Sequence, residues 1–168
     1  MIMRAAGPAD AAAIAGLLAA SWRDAYAALL PPALLAGKRD RLLPEWQALL
    51  AAPPGIIRVA EEAGVLHGMA ALWLRGEDAY LDSLHVAPSG RGGGLGRRLL
   101  AEAMWEAVAA GARRASLRVI EGNDGAIRFY TRLGGRVGAP EAGEVAGHPV
   151  RLLRLHFDDL SALVLAAR

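Results

Sequence analysis

The stretch that decides the fold of this chain is residues 80–100, YLDSLHVAPSGRGGGLGRRLL. An extended apolar run ends at Val86, a turn with Pro88 follows, and a long helical pattern begins inside the glycines. The free N–H groups of a first helical turn point toward one spot, and the helix dipole makes that spot positive. A strand that leads through a glycine-rich turn into a helix is therefore predicted to hold an anion.

The arginines of this stretch support the same interpretation. Arg91 precedes the predicted helix, and Arg97 and Arg98 lie in its first turn. A cation at the positive end of a helix dipole costs up to about 1 kcal/mol. Solvated surface arginines are the alternative, but an anion bound among them would explain both the charges and the glycines.

Two common phosphate-binding motifs do not fit the glycines. A dinucleotide fingerprint needs glycine at its first, third and sixth positions. The sixth position is Arg97 when the count starts at Gly92, and Leu99 when it starts at Gly94. The loop of nucleotide hydrolases needs Gly-Lys, and the only lysine, Lys38, lies far away. A nicotinamide-dependent oxidoreductase is therefore disfavoured.

A second informative stretch is residues 121–135, EGNDGAIRFYTRLGG. Asn123 is a good helix N-cap, and Gly134 is a typical C-terminal stop. Ala126 and Tyr130 fall on the apolar face of the helix between them.

The two stretches together resemble the GNAT superfamily of N-acetyltransferases. Arg-x-x-Gly-x-Gly after Val-x-Pro is similar to the acyl-CoA pyrophosphate loop of that family, and Asn-x-x-Ala-x-x-x-Tyr to its second cofactor element. Gly135 departs from the family, where an aromatic residue is common. The resemblance covers almost the whole chain and implies an α/β (α+β) fold: a mixed, mostly antiparallel sheet flanked by helices. Two parallel strands, ending near Val86 and Ile120, would splay apart around acetyl-CoA.

The rest of the chain fits one domain over residues 1–168. Strands are predicted over 2–6, 115–120, 135–139 and 150–157, with a hairpin over 56–74 and a loop through 147–149. Helices are predicted over 8–20, 95–110 and 158–168. A helical region over 22–50 is split by Pro31-Pro32 and further punctuated by Gly37 and Pro44. Trp22 and Tyr26 in that region are core residues or walls of an acceptor pocket.

Composition narrows the function classes. The chain has no cysteine and a formal net charge of +2, without a strongly basic block, so neither disulfides nor nucleic-acid binding is expected. No apolar run is long enough for a membrane span, and Gly7-Pro8 and Asp10 break the signal-like N-terminus, so we expect a cytoplasmic protein. The histidines show no metal-ligand spacing, and we expect no metal.

The resemblance implies roles for individual residues. Acetyl-CoA would be held by Leu84, His85, Val86, Arg91, Gly92, Gly93, Gly94, Leu95, Gly96, Arg97, Asn123, Phe129 and Tyr130. The backbone N–H near Val86 would stabilise the oxyanion. A phenol of pKa about 10 can protonate a departing thiolate of pKa about 8.5 at small cost, so Tyr130 is the candidate general acid.

The general base is not assigned by the sequence. Many family members carry a glutamate six residues before the valine, where this chain has Tyr80. Asp82 and His85 are the candidates, and strand alternation predicts that only one of them reaches the cleft. A structural role for both, with a water chain as base, is the alternative.

Two functions of different classes follow from these residues. The first is an N-acetyltransferase that moves an acetyl group from acetyl-CoA to a primary amine of a small molecule or peptide. The second is a non-catalytic acyl-CoA-binding module that works through partners. The acceptor stays open, and so does the oligomeric state, for which a homodimer is common in the family.

Overall fold

The computed structural model describes residues 1–167, which form one seven-stranded sheet and six helices. The strands are β1 (Ile2–Ala5), β2 (Gly55–Glu62), β3 (Val65–Arg75), β4 (Asp78–Val86), β5 (Arg114–Ile120), β6 (Arg136–Val145) and β7 (His148–Phe157). The helices are α1 (Ala11–Tyr26), α2 (Pro32–Leu35), α3 (Lys38–Ala51), α4 (Leu95–Ala109), α5 (Asp124–Arg132) and α6 (Leu160–Ala166). Arg168, the end of the helix predicted over 158–168, lies outside the described residues. No helix in the described range is long and apolar enough to cross a lipid bilayer.

The strand order creates a gap in the sheet. The order is β1-β2-β3-β4-β5-β7-β6, and all neighbours are antiparallel except β4 and β5. This parallel pair is held only from Asp78 to Tyr80, although β4 continues to Val86 and β5 to Ile120. The two strands therefore diverge beyond Tyr80. The predicted mixed, mostly antiparallel sheet with two splayed parallel strands is confirmed.

A β-bulge at Asp82 lies next to this gap. Ala71 of β3 pairs with Ser83, and Leu72 pairs with Leu81, so Asp82 has no partner on β3. An extra residue in one strand bends that strand and increases its twist. The bulge lies two residues beyond Tyr80, the last residue of β4 that pairs with β5, so its bend falls where the two strands separate.

Helices cover both faces of the sheet. Met69 and Ala71 of β3 pack into the cluster formed by α1 and α3, while Ala70 and Leu72 pack into the cluster formed with α4 and α6. All four side chains are fully buried. The sequence of a strand that is covered on both faces is a continuous apolar run, because neither set of alternate side chains is exposed to solvent.

The first helical boundary was predicted wrongly. Pro8–Asp10 forms a short 3₁₀ turn, and α1 then runs without a break from Ala11 through Tyr26. No proline or glycine lies between Ala20 and Trp22, so nothing in the chain interrupts the helix there. Trp22 and Tyr26 consequently project from the last turns of α1 rather than from a separate segment.

Pro44 was also misinterpreted, since it lies inside α3 and does not interrupt it. Proline removes one backbone hydrogen bond and crowds the preceding turn. Leu42, Trp46 and Leu50 offset this cost because they bury one side of α3 in the cluster shared with α1 and the sheet.

The predicted loop before the last strand is a hairpin instead. β6 extends to Val145, and β7 begins at His148, leaving Ala146 and Gly147 as the turn with φ of 50° and 77°. Two positive φ values are typical of the type I′ turns that match strand twist. Pro140 is tolerated because β6 is an edge strand and its register shifts between Val137 and Pro140.

The Ala146 backbone gives a stability prediction. An L-residue in the left-handed region costs about 1–2 kcal/mol, and asparagine tolerates it better than alanine. We expect Ala146→Asn to stabilise the fold by up to about 1 kcal/mol and to raise Tm by about 2–4 °C in calorimetry. Ala142→Asn, an exposed β6 position without a positive φ, is the control and should give no gain. A lower Tm for Ala146→Asn would contradict the turn geometry.

Candidate active site

A cleft of about 890 Å³ opens where β4 and β5 diverge. It is bounded by the second half of β4, the glycine loop with the start of α4, the end of β5, and α5. Most residues predicted to hold acetyl-CoA line it: Leu84, His85, Val86, Arg91, Gly92, Gly94, Leu95, Gly96, Arg97, Asn123, Phe129 and Tyr130. Gly93 and Trp22 do not line it, whereas Tyr26 does.

The glycine loop is shaped by backbone conformations that favour glycine. Gly92 and Gly94 have φ of 86° and 74°, and Gly94 is the N-cap of α4 without a side-chain capping bond. Gly96 lies close to β4, because an added Cβ would contact Val86 Cγ2 at 3.4 Å. The first N–H groups of α4 therefore face the cleft at close range to β4, with the positive end of the helix dipole behind them.

Several arginines converge on this cleft. Arg91 forms an ion pair with Asp24 of α1, and its Nη2 lies 3.5 Å from Ser21 Oγ. Arg128 and Arg132, one turn apart on α5, also line the cleft, and within residues 1–167 neither forms an ion pair. Exposed cations without a protein counter-ion lining one cleft favour a ligand with several negative charges.

Arg128 and Arg132 are cleft residues that were not predicted from the sequence. Their i,i+4 spacing beside Tyr130 is the signal that could have identified them as cleft residues. Ser21 and Arg118, which also line the cleft, carry no comparable signal because their positions depend on how α1 and β5 meet in the fold.

Tyr130 is placed by a capped helix. Asn123 Oδ1 accepts a hydrogen bond of 3.3 Å from Ala126 N, which fixes the start of α5, and Tyr130 follows two turns later. The Tyr130 ring is buried and stacks edge-on against Phe129 at 5.0 Å between centroids. Burial raises the pKa of Tyr130, and nearby Tyr26 raises it further. The phenol is therefore a protonated donor across the neutral pH range.

Tyr26 joins α1 to the same cluster. Burial raises the pKa of Tyr26, and a contact with the Asn123 side chain acts in the opposite direction. Tyr26 also stacks edge-on with Trp22 at 5.0 Å between ring centroids. The pair forms an aromatic wall at one end of the cleft, with Tyr26 facing the cleft and Trp22 behind it.

His85 is a neutral group in this site. Its Nδ1 lies 2.9 Å from Ser21 Oγ, and burial, followed by the charge of Lys38, lowers the pKa of His85 to about 4. Moving a proton from an ammonium of pKa about 10 to such a group costs roughly 8 kcal/mol. The half-buried imidazole is thus a poor general base and a good hydrogen-bonding partner for Ser21.

Asp82 is the bulge residue of β4, and its carboxylate accepts a hydrogen bond of 2.9 Å from Ser83 Oγ. Alternation along a regular strand predicted that only one of Asp82 and His85 would reach the cleft. Both line it, because the bulge adds a residue between Leu81 and Ser83. Asp82 is exposed, so a proton delivered to it can pass to solvent. Within residues 1–167, no group of three or more His, Asp or Glu could hold a metal ion.

The imidazole of His85 gives a pH prediction. A histidine whose pKa falls from about 6.5 to about 4 on folding binds protons in the unfolded state first, so stability is lost as pH falls from about 6.5 toward 4. Between pH 7 and pH 4.5 we expect the free energy of unfolding to fall by about 2–3 kcal/mol less in His85→Gln than in the wild type. Urea unfolding at the two pH values measures this. An equal loss of unfolding free energy in the wild type and in His85→Gln would contradict the lowered pKa of His85.

The splayed strands, the glycine loop and the capped α5 form one arrangement that can be compared with known proteins. A sequence model of the Acetyltransferase (GNAT) family matches residues 19–135, which is more than half of the chain. The chain belongs to this acetyltransferase family, and the family indicates acyl transfer as its activity.

Solved structures give the same fold. A comparison with curated proteins gives no match. PaiA N-acetyltransferase from Thermoplasma acidophilum, in complex with coenzyme A, is 20% identical with a TM-score of 0.71, covering 90% of this chain and 96% of that one. Ribosomal-protein-alanine N-acetyltransferase from Brucella melitensis is 24% identical with a TM-score of 0.73, covering 94% and 99%. YncA, a putative acetyltransferase from Salmonella typhimurium with its cofactor acetyl-CoA, is 26% identical with a TM-score of 0.69, covering 94% and 93%.

Proposed function

We propose that this chain is an acetyl-CoA-dependent N-acetyltransferase that moves the acetyl group directly to a primary amine of a small molecule or peptide. The observation that carries the proposal is the cleft between the diverging strands β4 and β5, with the start of α4 at one end and Tyr130 on its wall. A single domain over residues 1–168 would suffice for this chemistry.

The cleft suits the anionic part of acetyl-CoA. The pyrophosphate would lie against the N–H groups at the start of α4, where Gly94 and Gly96 allow close approach. Arg128 and Arg132 line the same cleft and would neutralise further phosphate charge. The family's relatives from Thermoplasma acidophilum and Salmonella typhimurium carry coenzyme A and acetyl-CoA, which supports the same choice.

The strand edge of β4 suits the pantetheine arm. Beyond Tyr80 this edge has no paired neighbour, so its backbone N–H and C=O groups are available. Ala87 N donates to His67 O of β3 at 2.8 Å, and N–H groups alternate along a strand, so Val86 N–H points toward the gap. In the proposed reaction Val86 N–H would stabilise the oxyanion.

The reaction needs no covalent enzyme intermediate. The chain has no cysteine, and a thioester already carries a good leaving group, so an amine bound beside it can attack directly. Tyr130 would protonate the departing thiolate, because the residue lines the cleft and its hydroxyl stays protonated. Asp82, at the exposed bulge, would receive the proton that the amine gives up, and Trp22 and Tyr26 would wall the acceptor side.

The test is acetyl-CoA-dependent thiol release across a panel of primary amines, including amino acids, polyamines and peptide N-termini. We expect at least one amine class to give saturable release together with a new acetylamide in the mass spectrum. Tight CoA binding with no release on any amine would instead identify a non-catalytic acyl-CoA-binding module.

A further inference from the structure

The two strands that form the cleft carry opposite charges where they separate. Their last paired residues are Tyr80 and Ser116. Two residues further on, β4 has Asp82 and β5 has Arg118, and both line the cleft. The two side chains do not form an ion pair with each other, and within residues 1–167 Asp82 pairs with no cation. The gap therefore has an unpaired carboxylate on one side and a guanidinium on the other.

Arg118 lies on the face of the sheet opposite to α4. Its neighbours Leu117 and Val119 are buried in the cluster formed with α4 and α6. β5 pairs with β7 without a bulge, so side chains alternate regularly and Arg118 projects from the other face, which α1 covers at β3. The proposed phosphate site, at the start of α4, is on the Leu117 face. Arg118 is therefore separate from that site and is available to a different anion.

Arg118 belongs to a group of side chains with an excess of positive charge. Its Nε lies 2.9 Å from Glu141 Oε1, and Arg154 Nη2 lies 3.4 Å from the same oxygen. Arg118 and Arg154 are direct cross-strand partners, an arrangement of like charges that destabilises a sheet. Within residues 1–167 Glu141 is the only ion-pair partner of either arginine. One carboxylate between two guanidiniums leaves one positive charge for a ligand.

These charges discriminate among acceptor amines. An acceptor with its ammonium group beside Asp82 and a carboxylate beside Arg118 would satisfy both side chains across the gap. A free amino acid carries both groups on one small molecule. A polyamine would instead bring a second cation toward Arg118, and a peptide N-terminus would bring a neutral amide.

We propose that the acceptor is a free amino acid, whose carboxylate is bound by Arg118 and whose ammonium group pairs with Asp82. This inference rests on the proposed function. The ammonium loses one proton to Asp82, its nitrogen attacks the thioester carbonyl carbon, an N–C bond forms and the C–S bond breaks. The second proton lost by nitrogen balances the one that Tyr130 gives to the thiolate. The products are the N-acetyl amino acid, with its carboxylate unchanged, free CoA thiol and one proton.

The test compares free amino acids with their amides as acceptors at saturating acetyl-CoA. Each pair has the same side chain and the same primary amine, and it differs only in the carboxylate. We expect kcat/KM for the free acid of the best pair to exceed that for its amide by about tenfold or more, mostly through KM. The amide is the less basic amine, because it lacks the nearby negative charge, so a larger neutral fraction would not explain a preference for the acid.

Variants at two positions should move this preference in opposite directions. Arg118→Gln removes the cation and should lower kcat/KM for free amino acids by about tenfold, while amides stay within about twofold. Glu141→Gln removes the carboxylate that competes for Arg118 and should raise kcat/KM for free amino acids by about threefold. Arg151→Gln is the matched control, because Arg151 of β7 pairs with Glu121 and does not line the cleft. It should leave both classes of acceptor unchanged.

The outcomes separate this inference from the proposed function. Amides, polyamines or peptide N-termini turned over as well as free amino acids would overturn the inference and leave the function intact. An equal loss for acids and amides in Arg118→Gln would also overturn it, because the arginine would then have a structural role only. CoA binding without turnover of any amine would overturn both proposals.

Discussion

Tyr130→Phe is expected to lower kcat by about a hundredfold or more while the Kd for CoA changes by less than about twofold. A positioned general acid raises the rate by roughly 10²–10⁴-fold, and the Phe substitution removes only the hydroxyl. Tyr130 is buried, and within residues 1–167 no protein group hydrogen-bonds to that hydroxyl, so folding should not suffer. Thiol-release kinetics and calorimetric CoA titration measure the two effects separately.

Tyr80→Phe is the matched control for this prediction. Tyr80 is on β4, and its hydroxyl is deleted by the same change, but the residue does not line the cleft. We expect kcat to stay within about twofold of the wild type. If Tyr130→Phe also keeps its kcat within that range, the phenol is not the general acid, and water supplies the proton instead.

Gly96→Leu is expected to weaken CoA binding by about a hundredfold, or roughly 2.7 kcal/mol. Gly96 has an ordinary φ, and its added Cβ would lie 3.4 Å from Val86 Cγ2, so the side chain fills the approach between α4 and β4. Gly94 is a poorer choice, because its φ of 74° would strain any side chain and confuse lost binding with lost structure.

Gly7→Leu provides the control for this loop variant. Gly7 has a φ of −128°, lies outside the cleft, and an added Cβ would meet nothing within 4 Å. Both proteins should retain the circular dichroism spectrum and a Tm close to the wild type, and only Gly96→Leu should lose CoA affinity in calorimetric titration. Equal affinities for CoA would show that the start of α4 does not approach the ligand.

The elements that we propose to bind the cofactor were predictable because their signals are local. Glycines with positive φ, the N-cap Asn123 and the apolar spacing that leads to Tyr130 all act within one or two helical turns. The apolar run before the loop likewise predicts the strand. These local rules place α4 and α5 within a residue or two of their observed bounds.

The parts that were missed depend on contacts between distant segments. The bulge at Asp82 exists only in the pairing of β4 with β3, so strand alternation alone placed Asp82 and His85 on opposite faces. The position of Lys38 over Trp22 depends on how α3 packs against α1. No pattern within either segment encodes that contact.

Turn chemistry explains the remaining error. Ala63-Gly64 is the turn of the hairpin predicted over 56–74, and its φ values of 50° and 79° match those of Ala146-Gly147. The second turn was missed because Pro140 and four glycines give residues 134–143 a loop-like composition. An edge strand tolerates such residues, and the edge position of β6 is a property of the whole sheet.

Calorimetric titration of the wild-type protein with CoA and, separately, with NAD⁺ tests the ligand of the cleft. We propose that the cleft between β4 and β5 is an acyl-CoA site built from the glycine loop, the edge of β4 and α5. This proposal predicts saturable binding of one CoA per chain and no saturable binding of NAD⁺. Saturation by NAD⁺ without binding of CoA would contradict it.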